Sequence, residues 1–171
     1  MAKITFILGG ARSGKSSYAE GIALDSKRKK IYVATAAVLD KEMEERIEKH
    51  RLQRGDDWDL VETPLDIAKQ IKSSDYENSV ILVDCLTLWL SNLLHNEMNI
   101  TEQINILIES LKSTQADMVL VSNEVGLGIV PENALARQFR DYAGILHQKV
   151  AEIADEVVLV VAGIPMKIKG Q

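Results

Sequence analysis

The sequence predicts an α/β fold: a mostly parallel central sheet with helices packed on both faces. Three features carry that expectation. Short runs of β-branched and leucine residues recur without polar alternation, as at 80–83 and 118–121, the mark of strands buried on both sides. Stretches with helical spacing of apolar residues alternate with them. Near the start, a glycine-rich turn separates an apolar run from a helix-forming stretch.

Taken in order, residues 3–8 read as the first strand and 17–24 as a helix. Lys27, Arg28, Lys29 and Lys30 form a basic cluster, read as a solvated turn, ahead of a strand at 31–36. A polar helix follows at 40–54, with Asp40 as its N-cap and Gly55, Asp56 and Asp57 at its end. Residues 58–62 make another short strand. Thr63 caps the next helix, with Pro64 in its first turn and Asp66 completing a capping-box-like pattern. The run at 80–83, closed by Asp84, is a central strand. Helices follow at 86–95 and from Asn99 or Thr101, both competent caps. The strand at 118–121 opens onto a loop at 122–133. The longest helix spans 133–154, and its Leu135, Phe139, Tyr142, Leu146, Val150 and Ile153 fall within about 80° of one another, a core-facing stripe. A last central strand at 157–161 and a short edge strand at 165–169 complete the chain. No repeat, low-complexity tract or linker divides it, so 1–171 is expected to be one domain.

Composition narrows the function. Of 171 residues, 46% are hydrophobic and 26% charged, ordinary for a globular protein. A net charge of −5 offers no basic surplus for binding nucleic acid or an anionic membrane. The lone Cys85 excludes an internal disulfide or a multi-cysteine zinc site and suits a reducing compartment. No apolar stretch is long enough to span a membrane, and the N-terminus runs into a strand without a signal-peptide pattern, so a cytoplasmic protein is expected.

Gly9, Gly10, Ala11, Arg12, Ser13, Gly14, Lys15 and Ser16 fit G-x-x-x-x-G-K-[ST], the phosphate-binding P-loop pattern. Glycines at its ends adopt backbone angles closed to other residues, which lets consecutive N–H groups turn inward around phosphate oxygens. Lys15 supplies a mobile charge for the β- and γ-phosphates, the Ser16 hydroxyl can ligate Mg²⁺, and the following helix adds the positive end of its dipole. Asp84, an acid ending an apolar strand, is expected to share that Mg²⁺; its simpler role would be to cap the next helix. Ligands of parallel sheets sit at the carboxyl ends of strands. The P-loop, Ala34-Thr35-Ala36, Asp84 and the Asn123-Glu124 loop should therefore converge.

Among the histidines, His50 stands out. On the 40–54 helix it falls on the stripe of Leu39, Met43 and Ile47, so it points inward among otherwise exposed charges; on spacing alone a hydrogen-bonded core histidine is the simpler reading. His147 lies about 120° off its helix's stripe and reads as solvated. His95 sits where a helix C-terminus would suffice to explain it. Cys85 reads as a small buried residue, not a nucleophile. Few aromatics, 5%, argue against a nucleic-acid-stimulated ATPase, and the absence of Asn-Lys-x-Asp argues against a switch GTPase. A small phosphotransferase or nucleotidyltransferase remains.

Over nearly its full length the chain resembles the bifunctional adenosylcobinamide kinase / adenosylcobinamide-phosphate guanylyltransferase family of cobalamin assembly. The resemblance rests on the P-loop residues, on Tyr32-Val33-Ala34-Thr35-Ala36, and on Asp40 through Arg46-Ile47 to His50. It continues through the Asn123-to-Asn133 loop and Ala136-Arg137-Gln138-Phe139-Arg140-Asp141. It implies a RecA-like P-loop NTPase fold, a homotrimer, and two reactions. In the first, ATP or GTP phosphorylates the aminopropanol hydroxyl of adenosylcobinamide. In the second, GTP gives GMP to that phosphate through a guanylylated histidine, releasing pyrophosphate. His50 matches that histidine, which turns the reading from core residue to nucleophile. Lys49 stands here where some relatives carry a second histidine. The resemblance further implies nucleotide contacts at Ala34, Thr35, Ala36, Arg51, Leu52, Gln53, Arg54, Glu62 and Asp84. For the kinase step, Glu124 or Asp84 is the candidate to orient the hydroxyl. Two rival readings are a small-molecule P-loop kinase in which His50 is structural, and a RecA-like nucleotide-binding regulatory subunit without transfer chemistry.

Overall fold

The structure is a computed structural model and describes residues 2–37, 44–45, 48, 57–73 and 77–170. Its elements are β1 (Ile4–Gly9), α1 (Lys15–Asp25), β2 (Lys29–Ala34), β3 (Trp58–Glu62), α2 (Ile67–Ser73), β4 (Ser79–Asp84) and α3 (Leu86–His95). There follow α4 (Ile100–Ser113), β5 (Asp117–Asn123), α5 (Ala134–Ile153), β6 (Glu156–Val161) and β7 (Ile164–Lys169). Of the helix expected at 40–54, Glu44, Glu45 and Glu48 are described and helical; the rest lies outside the described residues.

The strands form one seven-stranded sheet in the order β3-β2-β4-β5-β1-β6-β7. Every neighbouring pair is parallel except β6 with β7. Parallel strands must be covered on both faces, and the sequence supplies the cover. One face, with Phe6, Ile81, Val83 and Leu120, packs against Ile71, Trp89, Leu107 and Leu146 of α2 to α5. The other, with Ile7, Leu82, Val119 and Val121, packs against Ala19 and Ala23 of α1. β4 sits where both faces are deepest, which accounts for its unbroken apolar run.

Helix ends follow local chemistry. Asn99 caps α4 by accepting from the Glu102 N–H at 3.2 Å, and Asn133 caps α5 by accepting from Ala136 at 3.0 Å. Thr63 behaves differently from the expectation. Its hydroxyl accepts from the Asp66 N–H at 3.1 Å, yet the helix proper begins at Ile67, so Thr63 and Pro64 belong to a turn that precedes α2. The basic cluster is likewise not a free turn. Lys29 and Lys30 open β2, while Arg28 pairs with Asp117 at 2.9 Å and Lys29 with Asp59 at 2.7 Å. Exposed pairs of this kind contribute under about 1 kcal/mol, so strand register is set by burial of Ile31 and Val33, not by them.

Two features of α5 depart from the helical-wheel reading. Leu135 is 53% exposed, in a first turn of α5 none of whose residues is buried. His147 is not solvated: its Nε2 lies 2.7 Å from Ser122 Oγ, and its ring tilts against Phe6 at 5.7 Å between centroids. Burial lowers its pKa to about 4, against a small upward pull from the Glu124 carboxylate. The folded state therefore holds His147 neutral, while the unfolded chain takes up a proton below the ordinary value of 6.5. Stability tied to this group is complete above that value and is lost as pH falls from there toward 4. The expected loss at pH 5 relative to pH 8 is about 2 kcal/mol. Urea denaturation of the wild type and His147→Gln at both pH values checks it; an equal acid-induced drop in the variant would assign the lability elsewhere.

Candidate active site

The loop between β1 and α1 turns back on itself through two left-handed residues, Arg12 at φ 53° and Gly14 at φ 94°. Gly9 allows the closest approach. A Cβ there would fall 2.8 Å from the Val160 carbonyl oxygen and collide with Ser13 Oγ, so only glycine fits under the loop. The loop's carbonyls are held by donors on different elements. Gly9 O accepts from the Glu124 N–H at 2.9 Å, Ser13 O from the Gly163 N–H at 2.7 Å, and Gly10 O from Lys15 Nζ at 3.0 Å. With these carbonyls engaged, the N–H groups that follow them in the planar peptides face the other way, the polarity that an anion requires. Lys15 opens α1, is buried, and reaches back over the loop. Ser13 Oγ is buried and unpartnered among the described residues, an orphan polar atom inside the cradle. Such a donor set fits a polyphosphate.

The neighbouring strand ends supply the second half of the site. Ala34, Glu62 and Asp84 stand in register at the ends of β2, β3 and β4. Asp84 does not cap α3, whose N-cap is Cys85 without a side-chain bond. Instead Asp84 Oδ2 accepts from the Tyr32 hydroxyl at 2.8 Å, which fixes the carboxylate at the sheet edge. Thr35 is wholly buried, and each of its polar groups has a partner. Its hydroxyl donates to Cys85 O at 2.7 Å and accepts from Cys85 N at 2.8 Å; its N–H donates to Asp84 O at 3.3 Å; its carbonyl accepts from Asn92 Nδ2 at 2.8 Å. It stands behind the site as a brace between β2 and β4.

Asn123 closes the arrangement from β5, its Nδ2 donating to Thr87 Oγ1 at 2.9 Å. Burial, with the Asp84 charge adding to it, pushes the Cys85 thiol up, so it stays protonated and unreactive. The Glu124 carboxylate accepts from Gly126 N at 2.9 Å and Leu127 N at 3.1 Å, so it is folded onto its own loop. A cleft of about 650 Å³ runs along the phosphate loop, between Glu124–Gly128 on one side and Leu159–Ala162 on the other. A second cleft of about 750 Å³ lies among Arg28, Thr114 and Asp155, at the amino ends of the strands and away from this chemistry.

The four segments expected to converge do so at the carboxyl edge. His50, Arg51, Leu52, Gln53 and Arg54 lie outside the described residues; the connection bearing them leaves that same edge after Ala34. Sequence reasoning missed Gly163 as a partner of the loop and read His147, which bonds Ser122, as solvated. The first had a signal, a glycine between two apolar runs; the second had none, since its partner Ser122 is remote in sequence.

The family model for cobinamide kinase / cobinamide phosphate guanyltransferase matches residues 5–168 of the chain. The chain is 45% identical over 167 residues to the bifunctional adenosylcobalamin biosynthesis protein CobP of Pseudomonas aeruginosa, covering 96% of both chains. It is 43% identical to CobU of Escherichia coli, described in the same words, covering 95% of this chain and 98% of that protein. Among solved structures, the flagellar accessory protein FlaH from Methanocaldococcus jannaschii shares the fold, with a TM-score of 0.56 at 15% identity over 99% of this chain and 79% of that one.

Gly9→Ala tests the cradle directly. Since the new methyl meets the fixed Val160 carbonyl as well as Ser13, the loop must shift, and GTP affinity measured by calorimetry is expected to fall by about tenfold or more. Unchanged affinity would mean that the loop does not hold the phosphates.

Proposed function

The chain belongs to the cobinamide kinase / cobinamide phosphate guanyltransferase family, and from that premise we propose how its residues divide two reactions between them. In the kinase reaction a nucleoside triphosphate phosphorylates the aminopropanol hydroxyl of adenosylcobinamide. In the guanylyltransferase reaction GMP passes from GTP to adenosylcobinamide phosphate, giving adenosylcobinamide-GDP and pyrophosphate. Both need one triphosphate held along the loop Gly9–Ser16, and the engaged carbonyls of that loop are the observation that carries the reading.

Guanylyl transfer proceeds through His50. Its neutral ring nitrogen attacks the α-phosphorus of GTP, a nitrogen–phosphorus bond forms, and the bond to pyrophosphate breaks. An imidazole with an ordinary pKa of about 6.5 is largely neutral near pH 7 and so ready to attack. Lys15 and the loop amides take the charge growing on the leaving pyrophosphate. The phosphate oxygen of the corrinoid then displaces His50 and collects GMP, so that one difficult transfer becomes two easier ones.

Mg²⁺ fits the donor set at Ser16 and Asp84. Among the described residues no cluster of three or more carboxylate, histidine or cysteine groups forms a metal cage, which suits an ion bound mainly through phosphate oxygens. When bound, it would neutralise β- and γ-phosphate charge. Nucleotide contacts are assigned to Ala34, Ala36, Glu62 and Arg51 to Arg54, with Thr35 acting as the brace behind them. Because Glu124 is tied to its own loop, Asp84 is the better candidate to orient the corrinoid hydroxyl.

We take residues 1–171 as one cytoplasmic domain that assembles as a homotrimer. No described helix is long and apolar enough to cross a membrane. Exposed Val161, Ile164, Met166 and Ile168 on the outer strands, with Leu127 lining the same cleft as Val161, give a surface that association would cover. Light scattering coupled to size exclusion is expected to report three chains; a monomer at micromolar concentration would refute that assembly.

Incubation with α-labelled GTP is expected to label the wild type and not His50→Ala, while phosphorylation of adenosylcobinamide by His50→Ala stays measurable. Label retained on that variant would remove His50 from the mechanism. Lys15→Ala is expected to slow both reactions by about 100-fold or more. Normal kinase turnover in it would refute the shared phosphate site.

A further inference from the structure

We propose that Gly163, in the turn between β6 and β7, is a positioning residue for phosphate binding that acts through the Ser13 carbonyl. The proposal rests on the reading of Gly9–Ser16 as the phosphate site. Gly163 N–H donates to Ser13 O at 2.7 Å, the shortest of the bonds holding the loop's carbonyls. A trans peptide group is planar, with its C=O and the next N–H pointing in opposite directions. Fixing Ser13 O toward the turn therefore aims the Gly14 N–H away from it, where a phosphate oxygen held by the loop accepts it.

The turn is shaped for this contact. Ala162 and Gly163 are consecutive left-handed residues, at φ 51° and 78°, the pattern of a two-residue hairpin. Its two sides meet glycine to glycine: a Cβ on Gly14 would stand 3.2 Å from Gly163 Cα. Val160, two residues before the turn, supplies the carbonyl that presses under Gly9. The end of β6 and the turn after it thus form the floor and back wall of the phosphate loop, although they are about 150 residues away in sequence. A Cβ added at Gly163 meets nothing within 4 Å, so a substitution there acts through the backbone angle alone. That makes the position a clean probe.

Calorimetric titrations with Mg²⁺-GTP and with pyrophosphate, well below each variant's melting midpoint, test the role. Gly163→Val, whose β-branched side chain opposes a positive φ, is expected to weaken both ligands by the same factor, about tenfold. Equal weakening is the signature, because pyrophosphate reports the cradle without the base. Gly163→Asn, which tolerates left-handed backbone and keeps the N–H, is expected to remain within about twofold of wild type. Should Gly163→Val fail to fold, Gly163→Ala replaces it, with a smaller but still equal weakening. A glycine that served only stability would lower the melting midpoint and leave both affinities unchanged, and that result overturns the proposal. So does a loss confined to GTP. Lys15→Ala is the reference: if it loses pyrophosphate while Gly163→Val does not, the phosphate site stands and the role of Gly163 falls. If Lys15→Ala binds pyrophosphate as wild type does, both fall.

Discussion

An anion cannot rest against carbonyl oxygens, and the loop after β1 is built around that constraint. Gly9, Gly10 and Ser13 each direct a carbonyl to a donor, namely Glu124 N, Lys15 Nζ and Gly163 N. Each such bond fixes one peptide plane, and each fixed plane presents one N–H on its other side. Glycine is required where this folding is tightest, at Gly9 beneath Ser13 and at the left-handed Gly14. Because the donors sit just past the ends of β1's two neighbours and at the first residue of α1, the cradle exists only when the sheet has assembled in its observed order.

That order also sets the scale of the site. β5 lies between β4 and β1, so the strand that ends at Asp84 and the strand that ends at Gly9 are two spacings apart, about 10 Å. Lys15 bonds to the loop itself, and the Asp84 carboxylate to Tyr32. Tyr32 and Thr35 hold the far side steady, the first by engaging the Asp84 carboxylate and the second by knitting Ala34–Ala36 to the start of α3. Asp84 and Ala34–Ala36 are thus oriented by buried groups behind them.

Much of this was legible in the sequence, for physical reasons. Strands covered on both faces must be apolar throughout, so β4, β5 and β6 announced themselves. The P-loop pattern survives because few backbones can surround a phosphate. What escaped was set by tertiary contact. A helical wheel measures distance from an apolar stripe, and His147 lies off that stripe; a serine on β5, opposite in space, makes its burial affordable. The wheel likewise assigns Leu135 to the core but has no knowledge of where the sheet stops. Lys29 and Lys30 looked like a turn because the acids that face their stretch, Asp59 and Asp117, lie far along the chain. The inward direction read for His50 falls outside the described residues, so the role proposed for it rests on family membership and on the edge from which its segment departs.

β7 has a consequence of another kind. It is the outermost strand, antiparallel to β6 and exposed along its whole length, with aliphatic side chains at alternate positions. A long flat strand of that description would template endless sheet-to-sheet stacking and drag the enzyme out of solution. Three irregularities oppose it: Pro165 removes a donor, a bulge opposite Val157 and Val158 bends the ribbon, and Lys167 and Lys169 bring charge to its end. A border interrupted in this way cannot pair flat with an endless row of copies.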